Sequence, residues 1–381
     1  MACLVFSPQA QAVVPPPDGG YSGGNTAERQ NALQSLTTGG YNAAIGWLSL
    51  RSLTTGSFNT GVGAGTLVLN TGEENTATGA GALLSNTDGA FNTAIGGFAL
   101  LNNQGGVRNT AAGSRALFAH TIGDFNNAVG AFALASDTKG QGNNAVGDEA
   151  LFSNTTGSNN VAVGDSALHS NTIGAENTAI GRNALSNNAA GSDITALGAH
   201  AGEAVTMADH VICIGHSGGN VSNSCYIGQI FGAPIDPGTA INVGIDASGK
   251  LGTTVSSRRF KCDIKPMDKA SDAILALRPV SFHYSTDSRS TPCFGLIAED
   301  VAEVSPDLVV RDKNGEILSV GYDQVNAMLL NEFLKEHYRN QQQEAMIARL
   351  EKQIDALVEG LQKVNAELGS AKRVDRVALN R

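Results

Sequence analysis

The sequence predicts a mainly β protein: a parallel β-solenoid or β-roll of 17-residue repeats, followed by a small α+β domain and a C-terminal trimeric coiled coil. Three observations predict this architecture. An Asn-Thr-Ala-Ile-Gly motif recurs at a nearly constant step through residues 41–215, and the repeats are rich in glycine. The last part of the chain carries apolar residues at alternating spacings of three and four.

The chain divides by composition into five segments. They are a candidate signal remnant with a Pro/Gly-rich linker (residues 1–40), the repeat region (41–232), a neck linker (233–255), the small domain (256–340) and the coiled coil (341–373).

Composition narrows the class of protein. The 381 residues include 46 glycines, with only 5% aromatic and 16% charged residues, and the formal net charge is -10. This profile suits a stacked, repetitive structure better than an ordinary enzyme core. A nucleic-acid partner is disfavoured because phosphate binding needs a basic surface. No run of 18 apolar residues occurs, so no membrane span is expected.

The N-terminus resembles the end of a secretory signal. An apolar run is followed by Ala10-Gln11-Ala12, an acceptable small-residue cleavage site. The run is short, and no Lys or Arg precedes Arg29, as expected of a truncated start or of a disordered N-terminus. Residues 13–24 read as a stiff, extended linker in either case. We expect a secreted or cell-surface protein.

The repeat contains three informative columns. Its step is 17 residues, apart from one step of 16 between Asn59 and Asn75, and a last degenerate copy ends at Gly215. One column is nearly always alanine, the next is mostly branched aliphatic, and leucine follows the motif glycine by four residues nine times running. A unit this short cannot bury a face alone, but stacking turns each column into a continuous ladder. Ten coils at about 4.8 Å each would form a rod on the order of 50 Å long.

Other repeated residues have structural explanations. A second glycine column, represented by Gly89 and Gly106, predicts turns with positive φ. Stacked Asn and Thr side chains could bind a ligand, but satisfying turn backbone groups is the favoured interpretation. The GVGAGT segment at Gly61 mimics a phosphate-binding loop without the helix that such a loop requires. The pattern in residues 41–215 resembles the head repeats of trimeric bacterial surface adhesins, whose periods are usually shorter.

The five cysteines predict neither a disulfide framework nor a metal site. Cys213 and Cys225 lie near His210 and His216, but their spacing fits no standard zinc finger. Cys213 occupies the alanine column, so we expect small buried apolar residues here, with a disulfide as the alternative. No cofactor or metal is expected.

The C-terminal segment predicts a helix that needs partners. Helix is expected from Val325 onward, and Asn340 and Gln343 fall at core positions that can fix the register. A heptad seam runs through Ile347, Leu350, Ile354, Leu357, Leu361, Val364 and Leu368. A seam on a single chain indicates self-association, so we expect a homo-oligomer. A parallel homotrimer suits a fibre best, and the seam is also compatible with a dimer.

Between the repeats and the helix stand three motifs: Ser-x-x-Arg-x-Lys at residues 256–261, Arg-Pro-Val-x-Phe at 278–282, and Phe-Gly-x-Ile-Ala-Glu-Asp-Val at 294–301. With these motifs, residues 256–349 resemble the intramolecular chaperone domain of endosialidase-type phage tailspikes, in its bacterial form. Members of that family assemble trimeric β-structured fibres and then cut themselves off. The resemblance implies a dyad of Ser256 as nucleophile and Lys261 as base, which cleaves the Val255–Ser256 bond.

General chemistry is compatible with this implication. A serine hydroxyl needs a base to remove its proton, and lysine serves only when it is neutral. Burial or a cationic neighbour favours the neutral form, and Arg258 and Arg259 lie beside Lys261. Judged on spacing alone, the same residues read as a basic linker with serine helix caps. The sequence departs from the family's usual residues at Ser257 and at Cys293-Phe294, and either departure could slow cleavage.

Two functions of different class therefore remain open. In the first, a self-processing fibre carries a folding chaperone with autoprotease activity. In the alternative, a non-cleaving, adhesin-like binding module uses its C-terminal domain only as a trimerisation clamp. The rod could bind a cell-surface or glycan ligand in either case.

Overall fold

The computed structural model describes the backbone of residues 21–378 and the side chains of residues 21–369. The chain forms two compact units, and the boundary lies between Pro234 and Ile235. The cleavage site predicted at Ala10-Gln11-Ala12 lies outside the described residues.

The first unit is a parallel β-solenoid of about 12 turns, which we call the rod. Each turn contributes one short strand, and the strands pair in sequence order to form a 13-stranded sheet. The strands are β1 (Thr26–Glu28), β2 (Ala43–Ile45), β3 (Thr60–Val62), β4 (Thr76–Thr78), β5 (Thr93–Ile95), β6 (Thr110–Ala112), β7 (Asn127–Val129), β8 (Asn144–Val146), β9 (Val161–Val163), β10 (Thr178–Ile180), β11 (Thr195–Leu197), β12 (Val211–Ile214) and β13 (Ser224–Ile227). The predicted fold class, mainly β with 17-residue repeats, is confirmed.

The core of the rod consists of stacked alanine and leucine ladders. The middle residue of each strand from β4 to β11 is a fully buried alanine, as in Ala94 and Ala128. The nine leucines that follow the motif glycine are also fully buried; they are Leu50, Leu67, Leu83, Leu100, Leu117, Leu134, Leu151, Leu168 and Leu185. One large and several small side chains per turn are therefore enough to fill this narrow interior.

The branched aliphatic column lies on the surface instead of in the core. These residues occupy the third position of each strand, and Ile95 is 49% exposed. Because successive residues of a strand point to opposite faces, an inward alanine forces its neighbours outward. The predicted aliphatic ladder exists, but on the outside of the sheet.

The structure corrects the prediction for the glycine turns. Positive φ occurs at the glycine that ends the strand motif, such as Gly130 with φ +140°, and not at Gly123 of the second column. Gly123 is required for a different reason, since a Cβ there would collide with the carbonyl oxygen of Gly140 in the next turn. The buried leucines also adopt left-handed backbone, for example Leu100 with φ 49°. That conformation is uncommon for residues other than glycine.

The asparagine column satisfies the backbone of neighbouring turns. The backbone N–H of Asn92 donates to Asn75 Oδ1 at 3.0 Å, and its side-chain amide donates to the Gly106 carbonyl at 2.8 Å. The same bonds recur at Asn126, which donates to Asn109 and Gly140. The structural interpretation of these asparagines is confirmed.

The second unit contains three antiparallel hairpins and a long helix. The strands are β14 (Val243–Ile245), β15 (Leu251–Thr253), β16 (Val280–Phe282), β17 (Cys293–Gly295), β18 (Val309–Arg311) and β19 (Ile317–Val320). The helices are α1 (Ala298–Val304), α2 (Tyr322–Ala378) and 3-10 segments at Arg258–Phe260, Asp268–Ala276 and Pro306–Leu308. Among the described residues of this unit, the buried apolar core consists of Ile274, Val301, Leu308, Val320, Val325 and Met328. A core of this size gives little stability to an isolated domain.

The cysteines near the end of the rod are free. Cys213 points into the core from β12, and burial raises the pKa of its thiol. Cys225 is exposed on β13, where it pairs in register with Ile212. No group of three or more His, Cys, Asp or Glu side chains that could hold a metal occurs among the described residues. No helix in the described part of the chain is long and apolar enough to cross a membrane.

Candidate active site

The chain enters the candidate site from an exposed hairpin. Strands β14 and β15 pair in antiparallel register, with Ile245 opposite Leu251. Asp246 shapes the connecting turn by accepting bonds from the Ser248 backbone N–H at 2.9 Å and from the Ser248 hydroxyl at 2.6 Å. The hydroxyl bond lowers the pKa of the Asp246 carboxyl. Two residues separate β15 from Ser256, so the Val255–Ser256 bond follows directly after this hairpin.

A short 3-10 turn brings the two predicted dyad residues together. The Phe260 N–H donates to the Ser257 carbonyl at 2.9 Å, and the Lys261 N–H donates to the Arg258 carbonyl at 3.1 Å. The turn occupies Arg258–Phe260, and Lys261 returns to extended backbone with φ -124° and ψ 140°. Lys261 Nζ then lies 3.0 Å from Ser256 Oγ, within hydrogen-bond distance.

Solvent reaches this pair in the single chain. Ser256 and Lys261 are both exposed, and the apolar side chains of Val255, Phe260 and Ile264 beside them are also exposed. Burial of an amine favours its neutral form, which is the form that accepts a proton. The described chain alone does not provide that burial.

The alternative interpretation of the serines as helix caps finds no support at Ser257. Ser257 occupies the N-cap position of the 3-10 turn, but its side chain makes no capping hydrogen bond. The other departure from the resembled family, Cys293-Phe294, lies on β17, and the Phe294 ring is exposed.

A second Ser–Lys contact in this unit was not predicted from the sequence. Ser271, fully buried, accepts hydrogen bonds from Asn331 Nδ2 at 2.7 Å and Lys335 Nζ at 3.1 Å, and its hydroxyl donates to Glu332. Lys335 also donates to Asp272 at 2.6 Å and to Glu332 at 2.6 Å. These bonds join the 3-10 helix Asp268–Ala276 to α2.

Electrostatics distinguish this cluster from a catalytic pair. The hydrogen bonds to Asp272 and Glu332 raise the pKa of Lys335, so its amine stays protonated. The same bonds from Lys335 lower the pKa of Asp272 and of Glu332. A lysine held in its charged form cannot act as a base, so this cluster has a structural role. Its members lie about 60 positions apart, and no local sequence pattern connects them.

No curated protein and no solved structure matches the chain significantly. A protein-family model does match the part of the second unit that begins at the predicted cleavage point. Residues 256–310, starting with Ser256 itself, match the Peptidase_S74 family, described as the chaperone of endosialidase.

Proposed function

We propose that the protein is a trimeric fibre or cell-surface protein whose C-terminal domain is a self-cleaving intramolecular chaperone. The domain promotes folding and trimerisation of the chain and then cuts the Val255–Ser256 bond. The observation that carries this proposal is the 3.0 Å contact between Ser256 Oγ and Lys261 Nζ at the first residue of the family match. An exported location agrees with the short apolar N-terminal segment.

Exposed apolar surface supports a chaperone that works as an oligomer. Along α2, Leu329, Leu330 and Phe333 are exposed, and so is every residue of the heptad seam from Ile347 to Leu368. A helix with an apolar seam and no partner is unstable in water, whereas supercoiling with copies of itself buries the seam. Trimerisation would therefore contribute most of the hydrophobic stabilisation of this unit.

The proposed cut follows from the chemistry of a serine that attacks its own amide. Lys261, as the neutral amine, accepts the proton of the Ser256 hydroxyl, and Oγ bonds to the Val255 carbonyl carbon. The bond from that carbon to the Ser256 nitrogen then breaks, and the nitrogen takes the proton back from Lys261. This acyl shift leaves an ester between Val255 and Ser256 Oγ. Water hydrolyses the ester to the Val255 carboxylate and the free Ser256 hydroxyl.

Assembly would supply the condition that this chemistry needs. A partner chain that covers Val255, Phe260 and Ile264 would bury apolar surface and exclude water from Lys261 at the same time. Burial, with the positive charges of Arg258 and Arg259 nearby, favours the neutral amine. Cleavage would then occur in assembled chains and not in unassembled ones.

A denaturing gel of the purified wild-type protein and of Ser256→Ala tests the proposal. We expect two fragments from the wild type and one intact chain from the variant. A single full-length band from both proteins, combined with a trimeric mass in solution, would favour the non-cleaving clamp. A monomeric mass would contradict both functions.

A further inference from the structure

The outward side of strands β2 to β13 is an uncharged surface with a row of mostly apolar side chains, which we call the sheet face. Strand β1 is not part of it, because Glu28 stands there in register with Ile45. The sheet face consists of the first and third residues of strands β2 to β11 and their register partners in β12 and β13. Most of the first positions in β2 to β11 are threonine. The exposed apolar residues at the third position are Ile45, Val62, Ile95, Val129, Val163, Ile180, Leu197, Ile214 and Ile227, each 36–49% exposed, and Thr78 is an exposed polar residue at the same position.

Charged residues are excluded from the sheet face. Two outward positions in each of twelve strands give 24 side chains, and none of them is Asp, Glu, Lys or Arg. The turns of the same coils do carry charges, such as Asp148, Asp165 and Lys139. A solvated surface normally mixes both signs of charge, whereas depletion of charge marks the centre of an interface. The pattern indicates that this face is covered in the assembled protein.

The dimensions of the sheet suit a stable contact. Twelve strands spaced by about 4.8 Å extend roughly 53 Å, and a three-residue strand is about 10 Å wide. The footprint is therefore about 530 Å² on each chain, or about 1,060 Å² for a pair. That area just exceeds the roughly 1,000 Å² that a specific interface needs.

We infer that the sheet face packs against the sheet faces of other copies of this chain, with the rods parallel and in register. A partner that contacts all twelve strands must repeat its own apolar groups at the same spacing of about 4.8 Å. A second copy of the rod has this spacing, because its strands stack in the same way. This inference rests on the proposed trimerisation, because helices held in parallel would place the rods at a high effective concentration.

Exposed apolar residues continue along the chain between the rod and α2. Ile230 and Phe231 at the end of the repeat region, and Ile241 and Val243 in the neck, are each at least 59% exposed. Apolar side chains in a neck that lacks a core of its own need cover from other chains. The rod, the neck and the heptad seam therefore each carry exposed apolar residues, as an assembly along the whole chain requires.

Cysteine cross-linking of the full-length chain tests this contact. The background carries Ser256→Ala to keep the chain whole, and serine replaces the accessible cysteines other than the probe. Native Cys225 is an exposed probe at one end of the sheet face, and Val62→Cys and Val129→Cys place probes near the other end and the middle. Lys139→Cys is the control on the same coil as Val129, on a charged turn. Leu357→Cys reports separately on the seam of α2.

With a short bifunctional maleimide, we expect a band at twice the chain mass for Cys225, Val62→Cys, Val129→Cys and Leu357→Cys, and none for Lys139→Cys. A cross-link at Leu357→Cys alone would show trimerising helices with separate rods, which overturns this inference but leaves the proposed function intact. A sheet-face link at Val129→Cys only would indicate antiparallel rods and would also overturn it. Equal linking at Lys139→Cys would mean that the contact is not specific to this face. Sheet-face links without a link at Leu357→Cys would support the rod contact and contradict trimerisation through α2.

Discussion

Lys261 Nζ lies 3.0 Å from Ser256 Oγ, although both side chains are exposed in the single chain. The contact depends only on the 3-10 turn at Arg258–Phe260, which is local and needs no partner. Geometry for proton transfer can therefore form before assembly, whereas the low-dielectric environment cannot. This separation of geometry from environment is the basis for the predictions about cleavage.

Replacement of the proposed base should leave the chain whole. Lys261→Ala removes the amine, and Lys261→Arg substitutes a guanidinium that stays protonated and cannot accept the serine proton. We expect less than about one hundredth of wild-type cleavage in either variant, since general-base contributions are typically 10²–10⁴-fold. Both variants should still form trimers. Quantitative gels over time measure the rate.

Two neighbouring substitutions serve as controls for that experiment. Ser257→Ala and Lys265→Ala change the same residue types close by, and both should cleave like the wild type. In the wild type, the cleavage rate should rise with pH, because a general base accepts a proton only in its unprotonated form. Cleavage by Lys261→Arg at the wild-type rate would remove lysine from the mechanism.

Charges in the heptad seam should abolish assembly. Leu350 and Leu357 are exposed seam residues, and Leu350→Asp with Leu357→Asp would place carboxylates in the centre of a coiled coil. We expect the double variant to lose its trimeric mass in sedimentation and to become poorly soluble. It should also stop cleaving if assembly buries Lys261. The control variant, Lys352→Asp with Lys363→Asp, alters charge on the outward side of the same helix and should remain trimeric. A folded, monodisperse monomer from the wild type would contradict the proposed trimerisation.

A side chain at the strand-ending glycine should destabilise the rod. Gly130 has φ +140°, and a Cβ there would collide with the Gly147 carbonyl oxygen in the next turn. Gly130→Val should cost about 1–3 kcal/mol per chain, through backbone strain and the steric clash. Thermal unfolding followed by circular dichroism measures the change. Gly97→Ala is the control, since no atom lies within 4 Å of the position that an added Cβ would occupy, and other repeats carry alanine at this position. Equal melting temperatures of the two variants would argue against a tightly stacked solenoid.

The Ser271 cluster should make the C-terminal unit sensitive to acid. Hydrogen bonds from Lys335 lower the pKa of Asp272 and Glu332, so their stabilisation is present above the unfolded pKa, about 4, and is lost as the pH falls through the folded pKa. The raised pKa of Lys335 acts in the opposite sense, because its contribution is full below about pH 10 and is lost only at higher pH. The melting temperature should therefore fall in acid, and it should fall less in Lys335→Gln.

The neighbouring pair of Arg339 with Glu336 provides the control for the acid experiment. It is a 3.0 Å contact on the same helix, but both side chains are more than half exposed. Exposed pairs contribute little to stability, so Arg339→Gln should keep the wild-type acid response. An identical acid response in Lys335→Gln and wild type would mean that the cluster does not couple the 3-10 helix to α2.

Much of the rod could be predicted from the sequence, because the period of the repeated motif gives the number of residues in each turn. The buried Ala94 and Leu100 columns and the ladder through Asn92 follow from identical residues at identical positions. The sequence could not show that Ile95 faces outward, since a three-residue strand offers too little alternation to choose a face. The prediction of positive φ in the second glycine column was wrong. At Gly123 the residue must be glycine because a Cβ would collide with the next turn, and this requirement produces the same repeated glycine as positive φ does.

The candidate site was predictable only where its contacts are local. Ser256 and Lys261 are five positions apart, so a single turn can join them, and their motif is recognisable. The contact between Ser271 and Lys335 spans 64 positions and depends on how α2 packs against Asp268–Ala276. Neither residue stands in a motif, and tertiary packing alone brings them together.

The N-terminal sequence of the smaller fragment tests the central claim most directly. Purified wild-type protein should yield a fragment of residues 256–381 whose first residue is Ser256, and Ser256→Ala should yield none. A fragment that begins at any other residue, or equal cleavage of the Ser256→Ala chain, would contradict the assignment of Ser256 as nucleophile.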